Sequence, residues 1–180
     1  VGESEGDSMK EQLRRIVEKL KSCRVQGLTC FGSESHGFSS HPISDLVGIE
    51  RELRLKLPED FREFLRLVGK GAGPYYGIYG PDGFATFYDM MEEGQVNLEA
   101  VQLNEGTNTE MGVINGAITI GTQGCSGFNL LLVSGLQAGR VVYADLEHPD
   151  VHLCSDACFL DWYERWLVRR WNLRSRRFRH

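Results

Sequence analysis

Apolar side chains recur along this chain with two periods, and the switch between them divides it. The first third is helical in pattern. Leu13, Ile16, Val17 and Leu20 form one stripe among lysines and arginines, which predicts an amphipathic packing helix running down before Gly27. Ser8 and Glu11 have capping-box spacing, so its start is expected at Ser8. A second stripe, Leu46, Ile49, Leu53 and Leu57, follows Ser44, a candidate N-cap. Pro58 ends that period and suits the first turn of a new helix, where its missing N–H costs nothing. Glu59 and Asp60 come next, favoured beside the positive helix start. Phe61, Phe64, Leu65 and Val68 mark the buried face, and Gly69 is the expected C′ residue.

Beyond Gly73 the pattern shortens. Residues 75–79 predict a strand with tyrosines on alternate steps, and Pro81-Asp82-Gly83 a turn. Residues 84–112 mix Phe84, Phe87 and Tyr88 with many acids and amides, which predicts one short helix and a long polar loop. Residues 118–167 predict strand, Gly-rich turn, strand, hairpin, strand, loop and helix. The runs at 128–133 and 140–146 are strand-like and joined by Ser134 to Gly139. Phe159, Trp162, Tyr163 and Trp166 then share one helical face, in a helix expected to start near Ser155 or Asp156, with Asp161 and Arg165 as an i, i+4 pair. The fold class is α+β: an antiparallel or mixed sheet, with N-terminal helices and the aromatic C-terminal helix packed on it.

The order Ile-Gly-x-x-Gly-Cys at 120–125, apolar strand, Gly139-Arg140-Val141-Val142, then 159–167 (FLDWYERWL) resembles the SUKH superfamily, the Smi/Knr-type domain. A second stretch fits that family's opening: Ile49-Glu50, then Leu57-Pro58-Glu59-Asp60-Phe61 through Leu65, to Gly69. The resemblance implies a Smi/Knr-like fold and, for bacterial members, an immunity protein. Such a protein binds a cognate secreted toxin in the cytoplasm and occludes its active site without catalysis. A non-catalytic regulatory scaffold is the alternative the same family implies.

Length is that of one domain, 180 residues, large enough to bury its core without metals or disulfides. Residues 1–8 read as an unstructured leader before Met9, 9–172 as a single SUKH-like domain and 173–180 as a basic tail. Hydrophobic residues make up 41% and charged residues 25%, the proportions of an ordinary globule. No run is long enough to span a bilayer and no signal-peptide pattern opens the chain, which predicts a cytoplasmic protein with no membrane partner. Five cysteines without framework spacing predict reduced thiols. The net charge of −5 hides a split, because seven arginines lie between Arg165 and Arg179 with no acid among them. Without those seven, the twenty basic side chains become thirteen against twenty-five acidic ones. An acidic body disfavours direct nucleic-acid binding and fits a basic partner, including a toxin that attacks nucleic acid.

The candidate partner-binding residues are Tyr75, Tyr79, Glu92, Glu93, Asp145, Glu147 and Asp150, acidic and aromatic groups expected on loops. Tyr76 is expected on a sheet face covered by helices. The 121–127 turn lacks the strand-to-helix context of a phosphate loop or nucleophile elbow, and nothing beside Cys125 in the sequence activates its thiol. No catalytic residue is expected. His148, His152, Cys154 and Cys158 are zinc-type ligands, but without the short Cys-x-x-Cys spacing; the expectation is histidines on an exposed loop, no metal and no cofactor. A monomer or weak homodimer is expected.

Overall fold

Three helices take up the early stripes: α1 (Gly2–Val25), α2 (Leu46–Glu52) and α3 (Glu59–Leu67). The computed structural model describes residues 2–25, 40–91, 108–110 and 116–175. Helix α1 begins ahead of Ser8, so it runs through part of the stretch expected to be an unstructured leader. No proline interrupts that stretch. Leu13, Ile16, Leu20 and Cys23 are buried. Helix α2 is capped by Asp45 rather than Ser44: the Asp45 carboxylate accepts a hydrogen bond from the Gly48 N–H at 2.8 Å. It stops at Glu52, where Leu53 caps it and Arg54 turns left-handed (φ 53°), leaving Leu57 beyond it yet fully buried.

Pro58 stays non-helical (φ −52°, ψ 138°) and serves as the N-cap of α3, which buries Phe61, Phe64 and Leu65 completely. At the other end Gly69 turns left-handed (φ 82°), and its N–H donates to the Phe64 carbonyl at 3.0 Å. A Cβ there would lie 1.8 Å from the His41 carbonyl oxygen, so only glycine fits. This close approach seats a two-stranded ribbon, β1 (Ser40–His41) with β2 (Lys70–Gly71), antiparallel.

The expected strand at 75–79 is absent. Tyr75 and Tyr76 form a turn closed by the Gly77 N–H on the Pro74 carbonyl, 2.9 Å. Only after that turn does the chain straighten, with Gly71 and Ile78 exchanging backbone hydrogen bonds and the Tyr79 N–H donating to Ile120. A 3₁₀ turn (Pro81–Gly83) and the expected short helix, α4 (Thr86–Met91), follow.

The main sheet holds β3 (Asn108–Glu110), β4 (Ala117–Gly124), β5 (Gly127–Leu132), β6 (Val141–Asp145) and β7 (His148–Leu153). Their order is β3-β7-β6-β5-β4, and among the described residues every pairing is antiparallel rather than mixed. Strand β7 replaces the expected loop. Val151 and Leu153 alternate with exposed His152, the signature of a half-buried strand. Alternation gives the sheet two occupied faces. Phe128, Leu130, Val142, Val151 and Leu153 join Phe87 of α4 on one, with Phe87 and Phe128 edge to face at 5.5 Å. Ile118, Ile120, Leu131 and Val141 join the helices on the other.

That second face is closed by α5 (Phe159–Ser175), which starts later than Ser155 or Asp156. Asp60, one hundred residues away in sequence, provides what the local chain does not. Its Oδ2 accepts from the Leu160 N–H at 3.1 Å, while Oδ1 holds the Phe61 N–H at 2.8 Å, so one carboxylate serves the starts of two helices. Around it the rings interlock edge to face: Phe61 and Phe159 at 4.7 Å, Phe64 and Phe159 at 5.0 Å, Phe64 and Tyr163 at 4.6 Å. Each such pair adds roughly 0.5–1.5 kcal/mol beyond area burial. The buried Tyr163 hydroxyl donates to the Ala72 carbonyl at 2.8 Å. Asp161 does not pair with Arg165. It accepts from Gln12 of α1 at 2.9 Å, and Glu164 meets Arg15 at 2.9 Å, so polar contacts tie α1 along α5.

Candidate partner-binding cleft

The helices do not cover the whole of their sheet face. Where α5 runs past the strands, a cleft of about 500 Å³ opens between them. Its floor is polar: Gln123 of β4, Asn129 of β5 and Tyr143 of β6. Asn129 is 2% exposed, and its side-chain oxygen accepts from the Gln123 amide at 2.9 Å. The wall is one face of α5, with Trp162, Arg165, Trp166, Arg169 and Arg170 at helical spacing. Tyr75 closes the rim, and the turn holding it has left-handed backbone at that residue (φ 53°). A bulky residue in that region costs energy that the surroundings must impose.

The floor and wall are locked together. The Trp162 indole N–H donates to the Tyr143 hydroxyl at 2.8 Å. Burial pushes the Tyr143 phenol up. Behind the wall, Arg165 grips Asp156 at both oxygens, Nε to Oδ1 at 2.8 Å and the guanidinium tip to Oδ2 at 2.5 Å. Burial alone would raise the Asp156 carboxyl, but the hydrogen bonds from Arg165 and the Cys154 thiol outweigh it and hold it below the usual carboxylate range. Arg165 is correspondingly held above its ordinary value, chiefly by its bond to Asp156. Arg140 fixes the loop that carries Asp156, donating to the Cys154 carbonyl at 2.6 Å and the Asp156 carbonyl at 3.2 Å. A second cavity of about 420 Å³, reaching His152 and Ser155, shares Tyr143, Arg165 and Arg169 with the first.

Of the residues expected to bind a partner, Tyr75 lies in this cleft. Tyr79 does not: it lines a separate cavity of about 330 Å³ beside the Lys70–Asp82 ion pair, and burial raises its phenol pKa. Asp145 and Glu147 sit together at the tight β6–β7 turn, where the Asp145 carboxylate accepts from the Glu147 N–H at 2.9 Å. Asp150 occupies a β7 position opposite Glu110 rather than a loop. Glu92 and Glu93 lie outside the described residues. Tyr76, expected under the helices, is 47% exposed. It leans on the β4–β5 turn, where a Cβ at Gly124 would come within 3.1 Å of its ring.

The metal-type cluster is taken apart by β7. Histidines four residues apart in a strand are roughly 13 Å apart, not stacked as on a helix. Among the described residues no three His, Cys, Asp or Glu side chains come close enough to hold an ion. Cys125 is exposed on a two-residue turn (φ 49°) between Gly124 and Gly127, and a strand follows it. That context supplies neither a phosphate loop nor a nucleophile elbow.

The chain is therefore an α+β frame with a cleft at one sheet end and loops at its border. The model of the SMI1 / KNR4 family (SUKH-1) matches residues 43–165, and the chain belongs to that family. Comparison with curated proteins and with solved structures gives no match. Among the described residues no helix is long and apolar enough to cross a membrane.

Proposed function

We propose that this protein is an immunity protein. It binds one cognate secreted bacterial toxin in the cytoplasm and blocks that toxin's active site or substrate path, performing no chemistry itself. The observation that carries the reading is membership of the SMI1 / KNR4 family across residues 43–165. The acidic balance of the body supports a basic partner, such as a toxin that attacks nucleic acid. Asp145 and Glu147, with Glu92, Glu93 and Asp150, supply acidic groups for it, and Tyr75 and Tyr79 aromatic ones.

The test is co-expression with the product of the adjacent gene in its own genome. Stoichiometric co-purification and restored growth are expected. Growth arrest that persists despite soluble protein, or recovery of several unrelated partners without the neighbour, rejects the reading in favour of a regulatory scaffold.

A further inference from the structure

We propose that the cleft between α5 and the sheet receives an acidic segment of the partner protein, a carboxylate flanked by an apolar or aromatic side chain. The proposal rests on the immunity reading and assigns a second contact to it. The first ground is a local reversal of charge. In a chain of net charge −5, the described residues that line the cleft include three arginines and no carboxylate. Arg165 is already matched by Asp156 behind the wall. Arg169 is not: it is exposed and makes no ion pair or hydrogen bond among the described residues. A guanidinium with no acceptor among the described residues, at a cleft mouth, suits a carboxylate, which it can meet through two parallel N–H groups.

The second ground is the character of the remaining lining. Trp162 and Trp166 from the wall, Tyr143 from the floor and Tyr75 from the rim offer ring surface, and the Trp162–Tyr143 bond fixes two of these rings before any partner arrives. Preset rings lose little freedom on binding, which is why such residues dominate interface energetics. Tyr75 carries an additional mark. Its backbone is left-handed, a costly conformation for a bulky residue, while its side chain is 41% exposed at the rim. A volume of about 500 Å³ holds a few side chains of a segment, not a folded surface.

The third ground is position. Asp145 is two residues from Tyr143 on the same side of β6, so a negative turn borders a positive cleft. Opposite signs side by side admit a partner in one orientation and reject its reverse. Trp166, Arg169 and Arg170 follow Arg165, the last residue matched by the family model, so the match itself does not account for the charge of Arg169 and Arg170.

The experiment uses the full chain and three probes: the blocked peptide acetyl-EELFEE-amide, its lysine counterpart acetyl-KKLFKK-amide, and AMP. Tryptophan fluorescence reports binding, because two of the three tryptophans line the cleft. The acidic peptide is expected to bind, to weaken at least about tenfold in Arg169→Glu, to weaken less in Arg169→Lys, and to lose affinity with added salt. Equal binding of both peptides, an unchanged affinity in Arg169→Glu, or full displacement of the acidic peptide by AMP overturns the proposal, the last by making the cleft a small-anion site. A cognate toxin that binds wild type and Arg169→Glu equally removes the cleft contact and leaves the immunity reading intact. Acidic-peptide binding without any toxin partner does the reverse.

Discussion

Replacing Asp60 by alanine tests the link between α3 and α5 most directly. The substitution removes the acceptor for the Leu160 N–H at the start of α5 and for the Phe61 N–H in α3. Loss of a helix cap costs typically about 1 kcal/mol and up to about 2. A sheltered donor left unpaired places the cost at the upper end of that range. One effect opposes it: burial raises the Asp60 carboxyl above its ordinary value, against the hydrogen bonds from Leu160 and Phe61 that favour its charge. A group whose pKa rises on folding contributes stability that is fully present below the unfolded value and is lost as pH climbs through the folded one. The alanine variant lacks that titration, so its deficit should be about 1–2 kcal/mol at neutral pH and larger near pH 4–5. Urea denaturation at the two pH values, read as midpoint and slope, measures it. A deficit that grows with pH refutes the reasoning, because the helix starts would then stabilise the charge by more than burial penalises it.

Two further outcomes follow from the same core. Tyr163→Phe should cost about 1–2 kcal/mol by leaving the buried Ala72 carbonyl unpaired, and Phe64→Ala about 3–5 kcal/mol through cavity formation; comparable costs for the two in denaturant melts would contradict the packing described. Brief iodoacetamide treatment of the native protein should label exposed Cys125 ahead of buried Cys23 and of Cys158, whose thiol is pushed up to about 12 by burial and the nearby Asp60 and Asp161 carboxylates. Peptide mass mapping reads the order, and early labelling of Cys158 would contradict its placement.

Helix α3 was legible because one short segment held every signal for it: a proline before, acids at the start, rings on one face and a glycine after. The β5–β6 hairpin was legible for the same reason. Strand β7 was not, since Pro149, Asp150 and two histidines look like loop chemistry, although Val151 and Leu153 alternate as a strand requires. The start of α5 is not legible locally because its capping carboxylate comes from Asp60, and no local pattern reveals a partner a hundred residues away. The cleft is not legible in the sequence because its lining comes from separate segments: the turn at Tyr75, three strands and α5. A signal was present in the paired spacing of Trp162 with Trp166 and Arg165 with Arg169, which puts rings and guanidinium groups along one helix.

The Asp60–Leu160 bond also has a consequence for how the chain is made. Phe61 and Phe64 leave the ribosome long before Phe159 and Tyr163, the rings they pack against. Until α5 has cleared the exit tunnel, those side chains of α3 stay partly bare and the start of the last helix has no acceptor. Completion of the domain is thereby deferred until α5 has been synthesised, and a stop codon before Phe159 yields a product with its aromatic layer half built.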